Sequence, residues 1–91
     1  MSVYIVNYDL NCPGQDYEKL FKAIQSFTDY HHLMKSTWGV YSTKTAKGVF
    51  EFLGQYMDDT DRLFVSEFTE NSWWYLDKGA ATWLDKYRNQ F

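Results

Sequence analysis

The sequence predicts an α+β domain in which a small sheet carries helices, and three observations predict it. Residues 3–10 (Val-Tyr-Ile-Val-Asn-Tyr-Asp-Leu) are β-branched and aromatic, and they fit a pleated, buried surface better than a helix. Two later segments carry apolar residues at helical spacing: Tyr17, Leu20, Phe21, Ile24 and Phe27 in one, Val49, Phe52, Leu53 and Tyr56 in the other. Extended segments alternate with these helices, and right-handed crossovers then place both on one face of the sheet. The other face is left for the last helix, a second subunit, or both. At 91 residues the chain makes one domain with a modest core.

The first strand is apolar on both faces at its start, Val3 and Ile5 on one side and Tyr4 and Val6 on the other. Such a strand is central and covered on both sides. Asn11-Cys12-Pro13-Gly14 is a turn signal, and Asp16 and Glu18 fall in the first turn of the helix that follows, where its dipole favours them. Thr28-Asp29 ends that helix. Residues 30–43 read as one long strand or as two short ones with a bend near Lys35-Ser36. A second helix covers residues 45–57, weakened by Gly48 and Gly54. After the polar turn Asp58-Asp59-Thr60-Asp61, residues 62–69 form another clear strand. Trp73-Trp74-Tyr75-Leu76 is a short aromatic run. Asp77 then caps a final helix marked by Ala80, Trp83, Leu84, Tyr87 and Phe91, with Lys86 and Arg88 at its favourable end.

Composition narrows the function classes. Aromatic residues make up 21% of the chain, so the core is ring-rich, or rings serve recognition, or both. A net charge of −3 supplies no bulk attraction for a polyanion, so phosphate binding would need a local patch. The single Cys12 excludes an intrachain disulfide framework, fits a reducing compartment and reads as an inert loop thiol. The amino terminus enters a strand without a charged leader, and no apolar run approaches the ~20 residues that span a bilayer. A cytoplasmic protein without membrane contact is expected.

The leading site is the carboxyl end of the first strand, where Asn7 and Asp9 share a face and where open sheets place their ligand groups. The strand ending in Tyr8-Asp9-Leu10, the amphipathic helix after it, the Ser/Thr-bearing second strand and the late Asp61-Arg62-Leu63-Phe64-Val65 strand together resemble the small CRISPR adaptation proteins of the Cas-two type. They are most similar to the compact bacterial and phage relatives labelled SinR-like, which end in Trp-rich segments. The resemblance spans roughly residues 2–70. It implies a ferredoxin-like sandwich, here with a β-α-β-α-β core and a Trp-rich carboxyl-terminal helix, that pairs into a homodimer through the sheet. It also implies that Asp9 and its symmetry mate hold Mg²⁺ or Mn²⁺, a hard cation that takes oxygen ligands and can activate water at a phosphate. The bland alternative is that Asp9 braces the adjoining turn. Two departures from the nuclease pattern stand out: residues 30–43 are short for two full strands, and basic residues are few.

Other candidates follow. Ser42, Thr43, Lys44 and Lys47 lead into the second helix and could hold a phosphate, or Ser42 or Thr43 simply caps that helix. His31 and His32 point to opposite faces of a strand, so they cannot share a metal; His32 could serve as a general acid or base near Asp9. Trp73 and Trp74, with Trp38, could stack on bases or cover an interface. Asp58, Asp59 and Asp61 lack the pattern of a calcium loop and read as a solvated turn. Three readings result: a non-catalytic dimeric module for a nucleotide or short nucleic acid, a metal-dependent phosphodiesterase, and a protein–protein adaptor of phage or toxin–antitoxin type.

Overall fold

In the computed structural model, which describes residues 1–11 and 17–91, the chain forms β1 (Ser2–Asp9), α1 (Glu18–Ile24), β2 (Asp29–Met34), β3 (Thr37–Ser42), α2 (Ala46–Gly54), β4 (Arg62–Glu67) and α3 (Lys78–Tyr87), closed by a 3-10 turn at Arg88–Gln90. The turn signal over Cys12, Pro13 and Gly14, the Cys12 thiol and the first-turn position of Asp16 lie outside the described residues. The sheet is antiparallel, in the order β2-β3-β1-β4. β1 is therefore central, as its two apolar faces require. Among the described residues no helix is long and apolar enough to cross a membrane.

The expected strand count is corrected. The β-α-β-α-β core gains a strand, because residues 29–42 form a hairpin that pairs Tyr30 with Val40 and His32 with Trp38. Two six-residue strands fit because the connection takes only Lys35 and Ser36. The ladder is irregular between His32 and Met34.

Side-chain alternation splits the interior in two. Tyr4, Val6, Tyr8, Trp38 and Val40 face α1 and α2, meeting Leu20, Ile24, Val49 and Leu53 in one core. Val3 and Leu33 face the other way and meet Ala80, Trp83, Leu84 and Tyr87 of α3. The last helix thus occupies the second face. Gly39 of β3 lies directly beneath Trp83: a Cβ there would sit 2.5 Å from Trp83 Cζ3.

The caps are local. Asp77 accepts from the Ala80 N–H at 2.9 Å, as its position before α3 predicts. For α2 the cap is Thr45, whose Oγ1 accepts from Gly48 N at 3.0 Å. Ser42 and Thr43, the residues expected to cap it, lie too far upstream, and the buried Ser42 hydroxyl accepts from Lys44 N instead.

Asp29 docks α3 onto the β2 edge, taking a hydrogen bond from the Tyr87 hydroxyl and one from Lys86 Nζ at 2.9 Å. Burial pushes the Asp29 carboxyl up. The Tyr87 hydroxyl, the Lys86 ammonium, the Trp83 indole and the Tyr30 N–H outweigh burial and bring the pKa from 3.8 to about 2. Burial and Asp29 push the Tyr87 hydroxyl up, and Asp29 raises Lys86. The Asp29 contribution to stability is therefore present above pH 3.8 and lost as pH falls through about 2. Those of Tyr87 and Lys86 are present below 10.0 and 10.5 and lost in alkali. Asp29→Asn is expected to destabilise by on the order of 1–2 kcal/mol at neutral pH, allowing for solvent screening. Thermal melts of both proteins from pH 7 to below pH 2 check this: the gap should close in acid, and a constant gap would show that the charge contributes nothing.

Candidate binding surface

At the carboxyl end of β1 the structure places Asn7 and Asp9 on the α3 side of the sheet, both exposed. Asn7 Nδ2 donates to Thr37 Oγ1 at 2.5 Å, which anchors it to β3. Asp9 stands opposite Arg62 in the ladder, but the Arg62 guanidinium donates to the carbonyls of Thr60 and Asp61 at 3.2 and 3.1 Å. A shallow depression of about 230 Å³ lies between Asn7, Asp9, Arg62 and Phe64. Among the described residues no three His, Cys, Asp or Glu side chains cluster as metal ligands would.

The remaining candidates do not converge on Asp9. His32 pairs with Trp38 and so projects from the α1–α2 side, the opposite face. Its ring stacks on Trp38 at 4.2 Å and 7°, and its Nε2 lies 3.1 Å from the Lys35 carbonyl oxygen. Trp38 itself is buried, and its indole N–H donates to the Tyr8 hydroxyl at 3.1 Å. Covered by His32 and core rings, it has no free face for a base. Residues 42–47 sit at the far end of the sheet: Ser42 pairs with Ser2, roughly 23 Å along β1 from Asp9 at ~3.3 Å per residue. There Thr43 and Lys47 are exposed, the Lys44 carbonyl accepts from the Tyr4 hydroxyl at 2.5 Å, and Lys44 Nζ lies 5.6 Å from the Phe52 ring.

The ring-rich segment behaves differently. Residues 73–76 run as an irregular strap across the α3 side of the sheet, and their burial alternates. Trp74 and Leu76 pack inward; Trp74 meets Phe68 and Phe91 edge-on at 6.3 and 6.0 Å. Trp73, 88% exposed, and Tyr75, fully exposed, point outward. The Arg88 guanidinium lies 4.8 Å from the Trp74 ring centre and 5.2 Å from that of Trp73. Met34 and Phe64 add further exposed apolar surface on this side. The sequence signalled Trp73 and Trp74. It did not signal Arg88, whose place depends on the docking of α3, nor Met34, which the hairpin turns outward. Strict alternation within Trp73-Trp74-Tyr75-Leu76 is the pattern that separates outward from inward rings.

Compared with protein-family models, with curated proteins and with solved structures, the chain matches none.

Proposed function

We propose that this is a non-catalytic binding module that works through protein contacts made by the strap. The observation that carries this reading is the outward placement of Trp73 and Tyr75, two large rings held in solvent while Trp74 and Leu76 anchor the chain beneath them. Trp and Tyr concentrate at interfaces because one flat side chain supplies large contact area at small ordering cost. The net charge of −3 favours a protein partner over a polyanion.

A second reading, a nucleotide or short nucleic acid as ligand, draws on Arg88 against the indoles of Trp73 and Trp74, which sets a cation beside stacking surfaces. As part of the same proposal, the domain is a cytoplasmic, ferredoxin-like sandwich of the Cas-two-like kind. The β-α-β-β-α-β order and the sheet order β2-β3-β1-β4 support that fold. The proposed homodimer has its natural surface at β4, an edge strand without a bulge that carries the exposed Phe64.

The test is a thermal-shift screen of peptides, nucleotides and short oligonucleotides, with and without Mn²⁺. A ligand at 100 times its Kd should add ~2.7 kcal/mol, a shift of several degrees. A peptide-induced shift lost in the Trp73→Ala/Tyr75→Ala double variant is expected. A nucleotide-induced shift moves the assignment to the second reading. A shift that needs Mn²⁺ and vanishes in Asp9→Asn would replace both with the phosphodiesterase.

A further inference from the structure

We infer that the strap is a docking groove for an extended, proline-rich peptide segment that carries a basic residue. This rests on the protein-contact reading above and names the partner's chemistry. Three surface depressions join end to end through shared walls. The first lies between Leu33, Tyr75, Leu76 and Asp77. The central one, about 270 Å³, is bounded by Tyr75 on one side and by Trp73 and Trp74 on the other. The third lies between Trp73, Trp74, Asp85 and Arg88. The outward rings therefore stand as ridges between sockets.

That relief selects the conformation of the ligand. An amphipathic helix lays a continuous stripe into an open trough, and here standing rings would break the trough. A polyproline II segment, with three residues per turn, can straddle aromatic ridges and drop residues into successive sockets. The lengths agree. Asp77 and Asp85 are eight residues apart along α3, ~12 Å at 1.5 Å per residue. About four polyproline residues at ~3.1 Å each cover that span.

Charge selects the composition. Asp77 stands at one end of the row and Asp85 at the other, and neither is in an ion pair among the described residues. The Arg88 charge is turned onto two indole faces. An Arg or Lys at the Asp77 end of the peptide meets a carboxylate, while at the other end Asp85 shares its depression with Arg88; a nucleic acid strand would bring phosphates to both carboxylates.

The probe is a blocked peptide of one arginine followed by three Pro-Pro-Leu repeats. It is titrated into the full chain and followed by tryptophan fluorescence and by amide shifts. Controls are the same peptide with glutamate for arginine, an Ala/Leu-rich helical peptide keeping the arginine, and an oligodeoxythymidine. Saturable binding that moves the amides of Trp73 and Tyr75 is expected, weakened at least about tenfold in Trp73→Ala/Tyr75→Ala. Both rings lie outside the core, so that variant keeps its fold, which its melting curve verifies. Glutamate for arginine should weaken binding ~3-fold or more, and the difference should vanish in Asp77→Asn/Asp85→Asn, since asparagine still caps α3. Equal or tighter binding of the helical peptide overturns the inference while a protein-contact surface stands. Binding of the oligodeoxythymidine at the strap, with the proline peptide inert, overturns it in favour of nucleic acid. If none of the probes moves the strap amides, the inference fails; if the strap also makes no self-contact by sedimentation, the protein-contact reading fails with it.

Discussion

Truncating Trp83 to alanine is expected to destabilise the domain by ~3–5 kcal/mol, a large share of the ~5–15 kcal/mol typical of a whole domain. Trp83 is buried between α3 and the sheet, stacked near His31 at 6.1 Å and edge-on to Tyr87 at 5.1 Å. Its ring can lie that close to β3 because residue 39 has no side chain. Adding one is the converse experiment. In Gly39→Ala the new methyl would meet Cζ3 at 2.5 Å, well inside contact distance, so the indole or the helix must shift, at ~1–3 kcal/mol. The two changes share one space and cannot be additive. In the Trp83→Ala background the Gly39→Ala substitution should cost almost nothing, because its methyl enters the space that the indole vacated. Urea denaturation of the four proteins in this cycle measures the coupling, expected to be about 1 kcal/mol or more. Additive losses would mean that the helix does not rest on Gly39 as described. Trp83→Phe should be milder than alanine, because it keeps a ring in the space between α3 and β3.

Much of this arrangement was legible from the chain, and the exceptions have definite causes. The central position of β1, the apolar stripes of α1 and α2 and the Asp77 cap follow from local residue types and periodicity, whereas the choice of α3 over a second subunit to cover the other sheet face does not. Nor does the hairpin at residues 29–42. In a continuous strand Tyr30, His32, Trp38 and Val40 share a face because they are all even-numbered; in the hairpin they share it because Tyr30 pairs with Val40 and His32 with Trp38. For these four residues alternation is the same in the two arrangements, and Lys35-Ser36 carries no Gly, Pro or Asn to mark the turn. The candidate rings divide for a similar reason. Trp38 and Trp73 are the same residue type, and only the neighbours supplied by α1 and β2 bury the first, while the strap holds the second in solvent. Asp29 and Asp61 were hidden because their donors come from remote parts of the chain, Tyr87 and Lys86 in one case, Asn11 and Tyr17 in the other.

Asp61 carries the other large effect, and it corrects one residue of the solvated turn: Asp58, Asp59 and Thr60 are exposed as expected, whereas Asp61 is not. Its carboxylate is buried and acts only as an acceptor. Oδ1 takes the Asn11 N–H at 2.8 Å and the Tyr17 hydroxyl at 2.7 Å, and Oδ2 takes the Asp58 N–H at 2.7 Å. One side chain thereby ties the end of β1 and the start of α1 to the turn leading into β4. Burial pushes its pKa up, but the N–H groups of Asp58 and Asn11, the Tyr17 hydroxyl and the Arg62 charge outweigh burial and hold the carboxyl below 3.8. Folding therefore gains from Asp61 above that pH, and the gain disappears as pH falls through the lowered value. Asp61→Ala should cost about 3 kcal/mol near neutrality, since two backbone donors and a phenol lose their acceptor together. Asp61→Asn should recover little of this. Its amide has one acceptor oxygen and one NH₂ group, so one donor of the native set must face another donor. Tyr17→Phe removes a single bond and leaves the other two, so it should cost ~1 kcal/mol. Melting curves of the three variants between pH 7 and pH 2 separate geometry from charge. If acceptor geometry matters, asparagine remains close to alanine at pH 7, and both gaps to the parent protein narrow in acid. If asparagine instead matches the parent protein at pH 7, Asp61 holds the two segments by shape alone and its charge is incidental.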